Sequence, residues 1–191
     1  TVTAGGNLTQ SGVVTVNGAS KKATINAAGF DVTLGNVGND FTTVELSGKD
    51  VVVSDGNGVD LGASTVTGSL TVTAGDAITD SGTLAVTGGG SFTTKKDSGA
   101  AITLDQGLST FGVLTARSRN GADTANAAGD IRIDENASLT VGALQTTGGA
   151  TLNTLNGADG AVGLGTGTAG SLTVNGKGAI TQSGDMAVAG L

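Results

Sequence analysis

Two stretches of this sequence gather the residue types that could do chemistry. The first holds Arg117, Arg119, Asp123, Asp130, Arg132, Asp134 and Glu135 within about one coil's length of chain. Carboxylates and guanidinium groups brought together in a groove are what a polysaccharide-cleaving site needs, since paired acids can protonate a leaving group and activate water. The same residues could instead hold an anionic or glycan ligand, with Arg117, Arg119, Asp123 and Arg132 as the binding set. A sugar-cleaving site would also need aromatic platforms, and the chain has no Trp and no Tyr. The expectation is therefore no enzyme, and charges that are solvated because they flank a loop. The second stretch, Asp55-Gly56-Asn57-Gly58-Val59-Asp60, spaces its oxygens loosely like a calcium loop, with Asp40 a short way upstream. No acidic residue closes such a loop, so Asp40, Asp55 and Asp60 are weak calcium candidates and a solvated corner is the expected reading. No cofactor is expected.

Composition narrows the partners. The chain has 191 residues, 35 Gly, 4 Phe, one Met and no Pro, Cys, His, Trp or Tyr, with a formal charge of −7. A negative chain disfavours nucleic acid. Lack of Cys and His removes disulfides, thiolate metal sites and the commonest general base together. No apolar run reaches the length of a membrane span. With so few aromatic residues, any core must be made from Val, Leu, Ile and Ala in many thin layers. Beginning and ending inside repeats, the sequence is expected to be one β-helical segment, 1–191, of something longer.

The elements that must position these residues are short strands. Val14 and Val16 flank Thr15, Val32 and Leu34 flank Thr33, and Leu70, Val72 and Ala74 alternate with Thr71 and Thr73. This is a period of two, with one apolar face and one face rich in Thr. Between the runs lie Gly5-Gly6-Asn7, Asn17-Gly18, Gly35-Asn36, Ser47-Gly48, Gly88-Gly89-Gly90 and Gly148-Gly149, which turn the chain tightly. The run Leu70-Thr71-Val72-Thr73-Ala74-Gly75-Asp76-Ala77-Ile78-Thr79-Asp80-Ser81-Gly82 returns at Thr1 to Gly12 and at Leu172 to Gly184. The first two copies align at an offset of 70 residues without a gap as far as Leu34 and Leu104, and the third follows the second by 102, so 32 residues have entered between them. Part of that excess, Arg117 to Asn126, is polar and without alternation and predicts a loop leaving the regular body over about 117–129. Repetition argues against a meander of hairpins. Strand starts such as Ser69 and Ser91, 22 residues apart, give one coil of three strands and their corners. The predicted fold is all-β: a parallel β-helix of about nine coils of roughly 20 residues each.

The run from Gly62 through Leu70-Thr71-Val72-Thr73-Ala74-Gly75 to Val86 resembles the repeats of filamentous haemagglutinin-like adhesins, the large exoproteins of two-partner secretion in Gram-negative bacteria. The resemblance covers nearly the whole chain. It implies a right-handed parallel β-helix, secretion to the cell surface, and a role in adhesion, biofilm or as a stalk. Implied partners are neighbouring coils of the same chain and a cell-surface receptor or glycan. A filament of copies stacked end to end is the alternative, as is a ligand-binding module using 117–135. Separately, Gly35-Asn36-Val37-Gly38-Asn39-Asp40-Phe41 resembles a single calcium-binding nonapeptide of repeat-in-toxin sequences, but it occurs once and its apolar residue, Phe41, falls one place early. Thr-x-Thr pairs at Thr1, Thr65 and Thr71 resemble ice-matching arrays but are irregularly spaced, so exposed strand formers are expected there.

Overall fold

A computed structural model describes residues 1–155 and 159–190. Among these there is no helix: the chain winds as a parallel β-solenoid of about nine coils, about 21 residues apart. Each full coil presents three faces. Face 1 begins with Val2–Thr3, Lys22–Asn26, Thr43–Gly48, Ser64–Val66 and Leu84–Val86. Face 2 stacks Leu8–Thr9, Val32–Leu34, Val51–Asp55, Leu70–Ala74, Gly89–Lys95 and Val113–Arg119, and continues through Leu139–Gln145 and Val162–Ala169. Face 3 stacks Thr15–Val16, Asp40–Phe41, Val59–Leu61, Ile78–Asp80, Ile102–Leu104, Ile131–Glu135, Gly149–Thr154 and Ser171–Asn175. Pairing between neighbouring coils is parallel throughout the named strands. The partner of Thr71 is Ser91, a step of 20 residues, so the spacing of 22 between Ser69 and Ser91 slightly overstates that coil.

The alternation read from the sequence becomes a set of ladders. On face 2 the inward column runs Leu34, Val53, Val72, Phe92, Ala116, Leu144 across six successive strands. Val53, Val72, Phe92, Ala116 and Leu144 are fully buried. Each layer is one residue thick, so the one aromatic of the column is matched by a small neighbour, Ala116, in the next coil. Phe92 stands beside Gly90, where a Cβ would come within 2.9 Å of the Phe92 ring, and it meets Phe111 edge to face at 5.7 Å between centroids. Thr71 and Thr73 lie on the outward side between them.

The sequence repeat is not a whole number of coils. At about 21 residues per coil, the offset of 70 is about three and a third turns. The second copy therefore starts one face further on, and the third, 102 residues later, lies four coils and one face beyond the second because the 32 inserted residues add a coil. Val2 pairs with Ile25 on face 1, its equivalent Val72 pairs with Val53 on face 2, and the third equivalent, Val174, pairs with Leu152 on face 3. The repeat precesses by one face per unit, and each apolar position of the unit serves in three different walls.

Corners are where the backbone of one coil lies on the next. Gly75 donates its N–H to the Asp55 carbonyl at 3.0 Å, and a Cβ on Gly75 would be driven onto the Gly56 carbonyl oxygen. Gly35, at the corresponding turn, has its nearest neighbour, Thr33 Cγ2, at 3.9 Å from the same hypothetical atom. Gly75→Ala should therefore cost about 2 kcal/mol or more while Gly35→Ala is near neutral or stabilising, which thermal melts of the two variants will read directly. Asn39, fully buried, ties three coils together. Its Oδ1 accepts from Val14 N at 2.9 Å, and its Nδ2 donates to Leu34 O and Ser54 O at 3.1 Å.

Candidate functional site

The stretch from Arg117 to Glu135 divides among three places. Val113–Arg119 is a strand of face 2, so Arg117 and Arg119 belong to the wall, with Thr115, Arg117 and Arg119 outward and Leu114, Ala116 and Ser118 buried. Only about 120–126 leaves the body, closed by a bridge between Arg119 and Asn126. This is narrower than the 117–129 expected from polarity, because Arg and Ser alternating outward and inward at a strand's end look polar throughout. Arg119 Nε donates to Asp123 Oδ1 at 2.9 Å, and Lys95 Nζ reaches the other oxygen at 3.0 Å. Those two cations hold the Asp123 carboxyl below its usual range, the hydrogen bond from Arg119 being the largest cause. Asn126 donates to Thr168 Oγ1 at 2.6 Å, which lays the turn along the border of face 2.

Arg132 stands elsewhere, outward on face 3. It donates to Asp134 Oδ2 at 2.8 Å and lies 3.7 Å from Asp105 Oδ2. Asp134 in turn accepts from Asn153 Nδ2, and Asn153 Oδ1 accepts from Asn175 Nδ2 at 2.7 Å, a polar ladder climbing successive coils. Of the residues expected to form one binding set, Arg119 and Asp123 are brought together, Arg117 lies on the same wall, and Arg132 is on another face. Asp130 is spent on the corner, accepting from Gly149 N at 2.8 Å.

Asp134 and Glu135, expected to be solvated, are buried. Asp134 is 3 % exposed and Glu135 is 1 % exposed. Glu135 turns inward, where Oε1 accepts from Phe111 N at 3.1 Å and Oε2 has no protein partner. Burial pushes its carboxyl up to about 8, against which the one N–H bond is a weaker pull. Asp80, also inward, is pushed up to about 6 by burial although Asp105 N donates to it at 2.8 Å.

The calcium candidates are tied up in the wall, Asp55 buried at a strand's end and Asp40 and Asp60 outward within strands. Asp55, expected at a solvated corner, is 3 % exposed, and accepts from Phe41 N at 2.7 Å and Asn57 N at 2.8 Å. Its carboxyl is raised by burial. Asp60 accepts from Ser81 Oγ at 2.6 Å and Asp40 from Asn17 Nδ2 at 2.5 Å. Asp55 lies on face 2, whereas Asp40 and Asp60 lie on face 3. Among the described residues no group of three or more acidic side chains is placed to hold a metal ion.

A cavity of about 570 Å³ lies at the first coils, lined by Val2, Leu8, Val14, Ile25, Leu34 and Phe41 among others; it is the end of the core ladder rather than a side pocket. A smaller one, of about 300 Å³, sits beside the 120–126 turn between Val37, Thr73, Lys95 and Gly121.

A family model described as repeats of unknown function (DUF5649) matches residues 1–47, 48–117 and 153–191. No curated protein and no solved structure matches the chain. The middle match is one full unit of the length found from the internal offset. The interval left between the second and third matches, 118–152, contains the turn, Ile131–Glu135 and Leu139–Gln145.

Proposed function

The chain belongs to the DUF5649 family of repeats of unknown function, and from that premise we propose that it is a spacer: a rod-forming segment of a large secreted protein at the surface of a Gram-negative bacterium, where it serves adhesion by holding other parts away from the cell. The observation that carries this is the precession of the unit around the three faces. A unit that moves on by one face from copy to copy sets its side chains on each wall in turn rather than gathering them into one concentrated site. Its chemistry is then coil-on-coil hydrogen bonding and burial, with no catalytic step. Of the carboxylates weighed for catalysis, Asp130 and Glu135 accept from backbone N–H groups of Gly149 and Phe111, Asp123 is held by Arg119 and Lys95, and Asp134 by Arg132 and Asn153.

Length is the measurable consequence. Coils stack at about 4.8 Å, so the nine coils span about 40 Å and each added 70-residue unit contributes about 16 Å. Tandem arrays of one, two and three copies, imaged as single molecules, should lengthen by that increment at constant width. Arrays that gain width instead would sink the spacer reading. Protease shaving of intact cells tests the surface assignment: the segment should be released from outside without lysis.

A further inference from the structure

We infer that the outward side of face 2 binds an acidic polysaccharide, with Arg117 as the residue that takes a uronate carboxylate. Six of the nine cations in the chain are matched to an acid: Lys22 to Glu45, Lys49 to Asp50, Lys95 and Arg119 to Asp123, Lys96 to Asp76, and Arg132 to Asp134. Arg117 is not, and unlike Lys21 it lies in the middle of a wall. Its Nε is buried with no hydrogen-bond partner. The guanidinium is half-covered and makes no hydrogen bond to a protein acceptor among the described residues; with Nε covered, its terminal nitrogens are the donors left for a ligand.

The surroundings are those of a sugar-binding surface. Register places Arg117 in an outward column that reads Thr73, Thr93, Arg117, Gln145, Thr168 along five successive strands. The parallel column is Thr71, Ser91, Thr115, Ala143, Thr166. None of these ten residues is acidic, although the chain carries 16 carboxylates; the outward acids of the strands, Asp40, Glu45, Asp60 and Asp134, stand on faces 1 and 3. At the border Lys95 and Arg119 are offset by Asp123 and by Asp97, which accepts from Gly121 N, so among the described residues Arg117 is the one cation left over there in a protein of net charge −7.

A β-bulge secures the column. Between Leu114 and Thr115 the register with the next strand slips by one, so that Thr115 faces Ala143 and Arg117 faces Gln145. Without that slip Leu144 would fall opposite Arg117 and turn outward. The bulge thus keeps Leu144 in the core and an amide beside the guanidinium at once.

The ligand class follows from these groups. A planar guanidinium offers two parallel donors that match a carboxylate, and Thr, Ser and Gln on either side match sugar hydroxyls. Strands about 4.8 Å apart advance by roughly one sugar residue of an extended chain per coil, so a polysaccharide lying along the axis meets polar groups at each step. This goes beyond the spacer function, and its failure would leave the expected increment in rod length untouched.

The test uses the whole chain and four immobilised polymers: polygalacturonate, alginate, neutral dextran and dextran sulfate. Retention on the two polyuronates should exceed that on dextran at least tenfold and weaken with added salt. Arg117→Ala should lose most of it, about tenfold, while Arg117→Lys keeps part, since a point charge replaces a two-pronged one. Lys21→Ala, which removes an unmatched cation outside face 2, should change nothing. The two Arg117 variants should melt within a few degrees of the parent, because the side chain contributes no protein hydrogen bond and the backbone ladder is kept. Equal retention on dextran, an Arg117→Ala protein that binds like the parent, or tighter binding to dextran sulfate than to either polyuronate would each overturn the assignment.

Discussion

Glu135→Gln should make the protein more stable above pH 8 and leave it unchanged or slightly less stable at pH 5, so that the two melting profiles cross. The folded chain holds this carboxyl at about 8, against an ordinary value of 4.5. Between those limits the native state binds a proton that the unfolded state does not, so stability falls as pH rises. The contribution is fully present below pH 4.5 and is lost as pH climbs through 8. At about 1.4 kcal/mol per pH unit this interval is worth up to about 4 to 5 kcal/mol. Asp80, raised from 3.8 to about 6, adds a smaller loss of the same sign over the lower part of the range. Glutamine keeps the acceptor for Phe111 N but cannot ionise, so its profile should be nearly flat from pH 6 to 9, apart from Asp80. The carboxyls lowered by partners, such as Glu45 beside Lys22 and Asp76 beside Lys96, act in the opposite sense, but as partly exposed, solvent-screened pairs they contribute little and matter only below about pH 4. The parent's maximum should therefore lie on the acid side, near pH 4 to 5.5. Parallel melting profiles for parent and variant from pH 5 to 9 would show that Glu135 is not buried as a neutral acid.

Why those acids escaped the sequence reading is itself informative. The architecture was legible because a strand buries every second residue and the unit recurs: Leu70, Val72 and Ile78 point inward, Thr71 and Thr73 outward, and Gly75 turns the chain. The same period also held the answer for the buried acids. Val51, Val53 and Asp55 share a phase, as do Ile78 and Asp80, and Ile131, Ile133 and Glu135. Each acid occupies the last inward position of its strand, where the chain turns and a backbone N–H of a neighbouring coil or corner needs an acceptor. Residue type alone reads such positions as solvated, whereas phase reads them as interior caps. The precession of the unit was not legible, since an offset of 70 fixes neither the coil length nor the face. Nor was the separation of Arg132 from Arg117: proximity in sequence says nothing about which wall of a three-faced coil a residue joins. The division of charge, with outward acids on faces 1 and 3 and hydroxyls with Arg117 on face 2, emerges only once register assigns each strand to its wall.

Placing an acid out of phase with a corner gives the second large effect. Val72→Asp should destabilise the protein by about 4 kcal/mol or more, whereas Thr65→Ala, on an exposed strand position, should change it by less than about 0.5 kcal/mol. Val72 is fully buried between Val53 and Phe92, and its strand is paired on both sides, so every nearby N–H already has a carbonyl partner. A carboxylate there finds none of the donors that hold Asp55 or Asp80. Val72→Ala separates the two causes, since it removes the methyl groups without adding charge and should cost about 1.5 to 3 kcal/mol. Part of the Val72→Asp loss should return on acidification, when the new carboxyl becomes neutral. Because each coil contacts only its neighbours, the damage should also be local. Amide exchange should accelerate through the strands Val51–Asp55, Leu70–Ala74 and Gly89–Lys95, while Gly149–Thr154 keeps its protection. Equal melting midpoints for Val72→Asp and Thr65→Ala would remove Val72 from the interior, and a uniform loss of protection along the rod would mean that the coils unfold as one body rather than as a stack of neighbours.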